Sequence, residues 1–186
     1  MDNPLFGLTA KIAVVTGGNG GIGLGMARGL AAAGATIVIV GRDEAKSAAA
    51  GAEIMQQGGK AIALAADVTD KAAIATVVAD IQRQFGRIDI LVNNAGINIR
   101  KPPDALTIEE WNAVIGTNLT SAFLCSQAVY PSMKAGGGGK IINIGSMLSI
   151  FGAGLASAYA ASKGGIAQFT RSCAMAWAPD NIQVHA

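Results

Sequence analysis

Tyr159 and Lys163 stand four apart in the run YAASK, a spacing that puts both side chains on one face of a helix. A free tyrosine titrates at about 10 and is a poor base at neutral pH. A neighbouring ammonium favours the phenolate, and the pair becomes a usable general acid/base. Alone, a YxxxK spacing recurs by chance and describes two surface residues equally well. A second chemical feature lies far upstream, in the glycine turn Thr16-Gly17-Gly18-Asn19-Gly20-Gly21-Ile22-Gly23. A turn without Cβ atoms lets backbone pass close to a pyrophosphate. A helix starting there would aim free N–H groups and a partial positive charge at the phosphates. Gly18, Gly20 and Gly23 form a GxGxxG frame. A flexible turn explains such a frame as well, unless a strand precedes it and a helix follows.

The elements that must position these residues alternate along the chain. Residues 11–16 (KIAVVT) read as a first strand and 21–33 as a helix ended by Gly34. Strand 36–40 (TIVIV), helix 43–57, strand 61–65, helix 70–85 closed by Gly86, and strand 88–92 follow. Two helical segments, 108–117 and 118–134, come next, then strand 140–144, a long helix over 157–178 stopped by Pro179, and a sixth strand from 182 to 184. The strands are continuous apolar runs, as expected where both faces of a parallel sheet are covered. Strict alternation with right-handed crossovers predicts an α/β, doubly wound parallel sheet flanked by helices. Residues 1–186 read as one unit that binds a dinucleotide and carries the catalytic residues.

The end of the second strand decides which adenosine such a fold accepts. TIVIV is followed by Gly41-Arg42-Asp43. An acidic side chain here accepts from the ribose 2′-OH and repels a 2′-phosphate; an arginine does the reverse. Gly41 with Arg42 favours NADP(H), with NAD left open. A solvated loop cation is the other reading of Arg42. Asp43 reads as the N-cap of the second helix.

Apolar types make up 51% of the chain and charged types 14%, the reverse of a disordered composition. Net charge is +2 without a Lys/Arg cluster, which argues against nucleic acid as a partner. Cys125 and Cys173 lack metal-site spacing and read as reduced, buried thiols. Residues 141–162 carry no charge, yet Asn143, Ser146, Ser149, Ser157 and Tyr159 oppose a membrane-spanning helix and fit a buried strand leading into an active-site loop. The N-terminus has no basic start followed by an apolar run, so a cytoplasmic protein is expected.

Thr16-Gly17 followed by Gly21-Ile22-Gly23, Asn93-Asn94-Ala95-Gly96, and Tyr159 with Lys163 together resemble the TGxxxGIG, NNAG and YxxxK motifs of the short-chain dehydrogenase/reductase family. The resemblance runs from Leu8 to Val184 and implies a Rossmann-type fold. It implies that Gly17, Gly21 and Gly23, with Asn19, Gly20 and Ile22, hold the cofactor phosphates. Asp67 and Val68 would meet the adenine, although a helix cap explains Asp67 as well. Asn94, Ala95 and Gly96 would lie beside the adenosine ribose, the asparagines mainly supporting the sheet. Ser146 would donate to the substrate oxygen, Tyr159 would transfer the proton and contact the cofactor, and Lys163 would hold the nicotinamide ribose and tune Tyr159. Asn118 would complete a proton relay through a water. Caps at a strand end and on a helix are the alternatives for Ser146 and Asn118.

Within the family, NNAGINIR, GSMLSIFGAG and QFTRSCAMAWAPDNIQV resemble bacterial gluconate and deoxygluconate dehydrogenases. That implies a sugar acid or polyol substrate, with 3-oxoacyl-thioester reduction as the alternative. Arg100 could meet a sugar-acid carboxylate or simply occupy a surface loop. Family members are mostly homotetramers, packed through their long helices. They also continue beyond the sixth strand with a further strand and a substrate cover. The chain is therefore expected to lack that strand and lid and to leave an apolar sheet edge exposed. A form that binds nucleotide without turnover is the other expectation. His185, where the family commonly has Asn, reads as a chain-end residue.

Overall fold

The computed structural model describes residues 6–186; residues 1–5, part of the stretch read for a targeting signal, lie outside them. The order is β1 (Ile12–Thr16), α1 (Gly21–Ala32), β2 (Thr36–Gly41), α2 (Glu44–Gln56), β3 (Lys60–Ala65), α3 (Lys71–Phe85) and β4 (Ile90–Asn93). Then come α4 (Ile108–Ile115), α5 (Ser121–Ala135), β5 (Gly139–Asn143), α6 (Ser157–Trp177) and β6 (Ile182–His185). The six strands form one sheet in the order β3-β2-β1-β4-β5-β6, and every pairing is parallel. This is the Rossmann order, and the strand order reverses between β1 and β4, where such folds bind ligands.

Alternation along the strands feeds two cores. Val14, Val38, Val40, Leu91 and Ile141 point to the side covered by α3, α5 and α6. Ala13, Val15, Ile37, Ile39 and Val92 point to the side covered by α1 and α2. Each fully buried Val or Ile contributes about 1.5–3 kcal/mol, which is why uninterrupted apolar runs were needed.

Local signals set the helix ends. Asp43 accepts from the Lys46 N–H at 2.9 Å and caps α2. Asp70 accepts from Ala72 and Ala73 and caps α3. Gly86 closes α3 in the left-handed conformation, φ 74°.

Three expectations change. The helical segments 108–117 and 118–134 are not separated at Thr117; a π-helical turn, Gly116–Thr120, joins α4 to α5. The fourth strand begins at Ile90, two residues late; Asp89, just before it, accepts through its side chain from the Ile12 N–H at 2.9 Å and from Lys11 and Arg87. β6 is an edge strand, but Ile182 and Val184 turn inward and are buried, so its open edge is backbone flanked by Gln183 and His185 rather than an apolar surface. The uncharged stretch 141–162 runs from β5 through a loop into α6, and among the described residues no helix is long and apolar enough to cross a membrane. Cys125 and Cys173 are free and buried.

Candidate active site

The glycine turn is built between β1 and α1 and held from β4. Gly17 (φ 63°) and Gly21 (φ 52°) adopt left-handed conformations that a side chain would strain. A Cβ on Gly23 would stand 2.2 Å from the Gly17 carbonyl oxygen, so α1 packs on the turn only because residue 23 is bare. Asn94 Nδ2 donates to the carbonyls of Thr16 and Gly17 at 3.0 and 3.1 Å. Thr16 Oγ1 accepts from the N–H groups of Asn94 and Ala95. α1 starts without a side-chain cap and without an acidic residue in its first turn. Its N–H groups are thus left for an anion.

In front of the turn opens a cleft of about 570 Å³, within the range of cofactor sites. Gly17, Asn19, Gly20, Ile22, Gly23, Arg42, Asp67, Val68, Asn94, Ala95 and Gly96 all line it. Gly21 does not; it supplies the bend that starts α1. Gly41 and Asp43 line it too, and so do Val40, Lys46, Ala66, Ile97 and Thr117, which carry no motif that would have singled them out. A backbone cradle that Cβ atoms would fill, a free helix N-terminus and a long cleft at the switch point fit a nicotinamide dinucleotide.

At the adenosine end, a Cβ on Gly41 would lie 2.7 Å from Asn19 Nδ2. Asn19 Nδ2 donates to Ser47 Oγ at 3.0 Å, passing over the bare Gly41. Arg42 is 72% exposed and 3.9 Å from Asp67. Asp67 does not cap a helix. Its Oδ1 accepts from the N–H and hydroxyl of Thr69, and these bonds, with a smaller contribution from Arg42, hold its carboxyl below the usual carboxylate range.

The proposed catalytic residues converge on the start of α6. Lys163 is only 4% exposed, and its Nζ lies 5.6 Å from the centroid of the Tyr159 ring. Nζ donates to the Ile144 carbonyl, and burial pushes the lysine pKa down. Ser146 follows β5, and the turn Met147–Ser149 packs on α6. Ser146 Oγ accepts from the Leu148 N–H at 3.1 Å, while its hydroxyl hydrogen has no acceptor among the described residues. The serine is therefore both a cap and an available donor.

Asn118 lies in the π turn, buried. Its Oδ1 accepts from the Ile97 N–H at 2.7 Å, and its Nδ2 donates to the Ile97 carbonyl and to Ser162 Oγ. Ser162 Oγ in turn donates to the Tyr159 carbonyl at 2.7 Å. Both amide hydrogens of Asn118 are engaged, so its side chain has one Oδ1 lone pair left for a water. The helix-cap alternative for Asn118 is not what the structure shows. Asn93 Nδ2 donates to Asn143 Oδ1 at 2.8 Å and to Ser126 Oγ, tying β4 to β5 and α5.

Asn118, Ser146, Tyr159 and Lys163 do not themselves line the cleft. A parallel Rossmann sheet with this cradle, and a Tyr–Lys pair on α6, define a dinucleotide-dependent oxidoreductase. The family model for short chain dehydrogenase matches residues 11–186. The chain is 40% identical over 186 residues to a 2-dehydro-3-deoxy-D-gluconate 5-dehydrogenase of Formosa agariphila, covering 100% of this chain and 70% of that protein. It is 42% identical over 183 residues to a 5-keto-D-gluconate 5-reductase of Escherichia coli, covering 98% and 72%. It resembles the crystal structure of a gluconate 5-dehydrogenase from Burkholderia cenocepacia in complex with NADP and tartrate, with a TM-score of 0.92 at 41% identity over 96% of this chain and 70% of that one. The chain belongs to the short-chain dehydrogenase/reductase family, NAD(P)-dependent oxidoreductases acting on CH–OH groups.

Proposed function

We propose that the chain transfers a hydride between NADP(H) and a sugar acid or related polyol such as gluconate. The observation that carries this reading is the Lys163 ammonium, buried beside the Tyr159 ring at 5.6 Å from its centroid. The pair supplies one proton-transfer group, the Tyr159 hydroxyl, which takes a proton in alcohol oxidation and returns it in carbonyl reduction, with a cation fixed beside it. Tyr159 takes the hydroxyl proton as the alcohol is oxidised and returns it in the reverse direction. Ser146, with its hydroxyl hydrogen free, donates to the same oxygen. Lys163 keeps N–H groups free beyond its bond to Ile144, with which it would hold the cofactor ribose. Asn118 sets the start of α6 through Ser162 and closes the relay with its remaining lone pair. A bound nicotinamide supplies the two-electron acceptor or donor.

Two further points support the finer assignment. Arg42 and the bare Gly41 favour NADP(H) over NAD at the second strand's end. Arg100 is exposed, and among the described residues no carboxylate pairs with it. The next residue, Lys101, bridges in parallel to Ala156, three residues before Tyr159. Arg100 therefore stands beside the segment leading to the reacting group, where it would meet a substrate carboxylate. Phe123 on α5 and Met175 on α6 are exposed apolar residues on long helices, in keeping with a homo-oligomer packed through them.

Incubation with NADP⁺ and gluconate, beside NADPH and an acetoacetyl thioester, tests the assignment. Reduction of NADP⁺ by gluconate is expected. Turnover of the thioester alone would move the chain to 3-oxoacyl-thioester reduction, and NADPH binding without turnover of either would limit it to nucleotide binding.

A further inference from the structure

Lys46 lines the cofactor cleft with Gly20, Gly41 and Arg42, and no sequence motif points to it. Its Nζ and Cε lie 3.0 and 3.1 Å from the place a Cβ on Gly20 would occupy. The side chain therefore reaches back from the first turn of α2 onto the glycine turn instead of pointing away from the protein.

Two devices aim it. Asp43 Oδ1 accepts from the Lys46 N–H at 2.9 Å and fixes the start of α2. The next residue, Ser47, is fully buried, accepts from Asn19 Nδ2 at 3.0 Å and donates to the Asp43 carbonyl at 2.7 Å. This latch docks α2 on the glycine turn, and it can form only because Gly41 has no Cβ in the way. Among the described residues no carboxylate lies within ion-pair distance of Lys46. An unpaired ammonium thus sits between Gly20 and the end of β2. The end of β2 is where a Rossmann fold meets the adenosine ribose, whereas the pyrophosphate belongs to the N-terminus of α1.

We propose that Lys46 binds the 2′-phosphate of the adenosine ribose together with Arg42, so that two cations recognise NADP(H). The proposal rests on the reading of the cleft as an NADP(H) site. Asn19 and Ser47 are positioning residues that hold the lysine over the cleft. An exposed ion pair of this kind corresponds to about a five-fold change in affinity.

The test is a binding titration of the whole chain with three probes: 2′,5′-ADP, 5′-AMP and ADP-ribose, the last carrying a pyrophosphate but no 2′-phosphate. Lys46→Ala should weaken 2′,5′-ADP about five-fold, leave ADP-ribose unchanged, and be rescued by Lys46→Arg. Equal weakening of 2′,5′-ADP and ADP-ribose would place the lysine on the pyrophosphate and overturn the proposal. No change with either probe would make Lys46 a solvated side chain and overturn it too. If Arg42→Ala weakens 2′,5′-ADP while Lys46→Ala does not, the NADP(H) reading stands without Lys46. If the unmodified protein binds 5′-AMP as tightly as 2′,5′-ADP, the NADP(H) reading itself falls.

Discussion

Gly23→Ala adds one methyl group at the point where α1 meets the glycine turn. The new Cβ would stand 2.2 Å from the Gly17 carbonyl oxygen and 2.5 Å from Asn94 Nδ2, both well inside the 3.4 Å at which ordinary contact begins. Its nearest neighbour is backbone, which cannot swing aside, so the first turn of α1 must move outward. Overpacking of this kind costs about 1–3 kcal/mol of stability. The larger effect is on anion binding, because the moved turn carries the free N–H groups. Losing one hydrogen bond to a charged group costs about 1.5–3 kcal/mol, roughly 10- to 100-fold in Kd. Gly25→Ala is the control: it lies two residues further on the same helix, and nothing lies within 4 Å of its Cβ position. That change should be neutral or stabilise by up to about 1 kcal/mol through helix propensity. NADPH fluorescence titration with thermal unfolding on both variants gives the comparison. Gly23→Ala binding NADPH within two-fold of the unmodified chain, with an unchanged Tm, would refute the reasoning.

Tyr159→Phe should lower kcat on the order of 10²-fold or more while changing the Kd for NADPH far less, measured by steady-state kinetics beside the titration; near-full activity would remove Tyr159 from the proton-transfer role. Lys163→Met should abolish turnover yet raise Tm, because it removes an ammonium that burial disfavours. Burial lowers the lysine's pKa, so its ammonium opposes folding at neutral pH and the penalty is relieved as pH rises through that lowered value. A fall in Tm for Lys163→Met would show that the ammonium supports the fold. Burial pushes the Asp89 carboxyl up, but bonds from Arg87, Ile12 and Lys11 outweigh it and hold the pKa below the usual value. The stability Asp89 contributes is then fully present above about 3.9, the unfolded value, and is lost as pH falls through the lowered folded value. Asp89→Asn should unfold more readily at pH 7 and show a shallower acid limb in chemical denaturation; an unaltered acid limb would contradict this.

The parts of this molecule that could be read from sequence are those whose cause is local. Continuous apolar runs found the strands, and Asp43, Asp70 and Gly86 found helix ends because each acts within four residues of itself. The glycine turn was legible because left-handed backbone at Gly17 and Gly21 demands glycine. What stayed hidden depends on distant partners. Asn118 bonds Ile97, 21 residues away, and Ser162, 44 residues away. No local pattern distinguishes that clamp from a helix cap. The π turn was missed because its residues, GTNLT, keep the α-helical periodicity on either side. Lys46 was missed because an exposed lysine on a first helical turn has no type or spacing that says where its ammonium goes.

The loop after β4 explains how a cofactor cradle and a catalytic helix on different parts of the sheet keep one geometry. Asn93 reaches Asn143 on β5, three residues before Ser146. Asn94 holds the carbonyls of Thr16 and Gly17, and so the cradle. Ile97 takes both backbone bonds of the Asn118 side chain, which passes through Ser162 to the Tyr159 carbonyl. Three of the five residues 93–97 thus touch all three parts of the proposed machinery, through side-chain amides that are buried or part-buried. Bonds in such surroundings are stronger than exposed ones, and an unmade one is costlier. A strand end that carried only apolar residues could pack the sheet but could not fix the distance from glycine turn to tyrosine. That is the physical reason for two asparagines where the core pattern alone would call for valine or isoleucine.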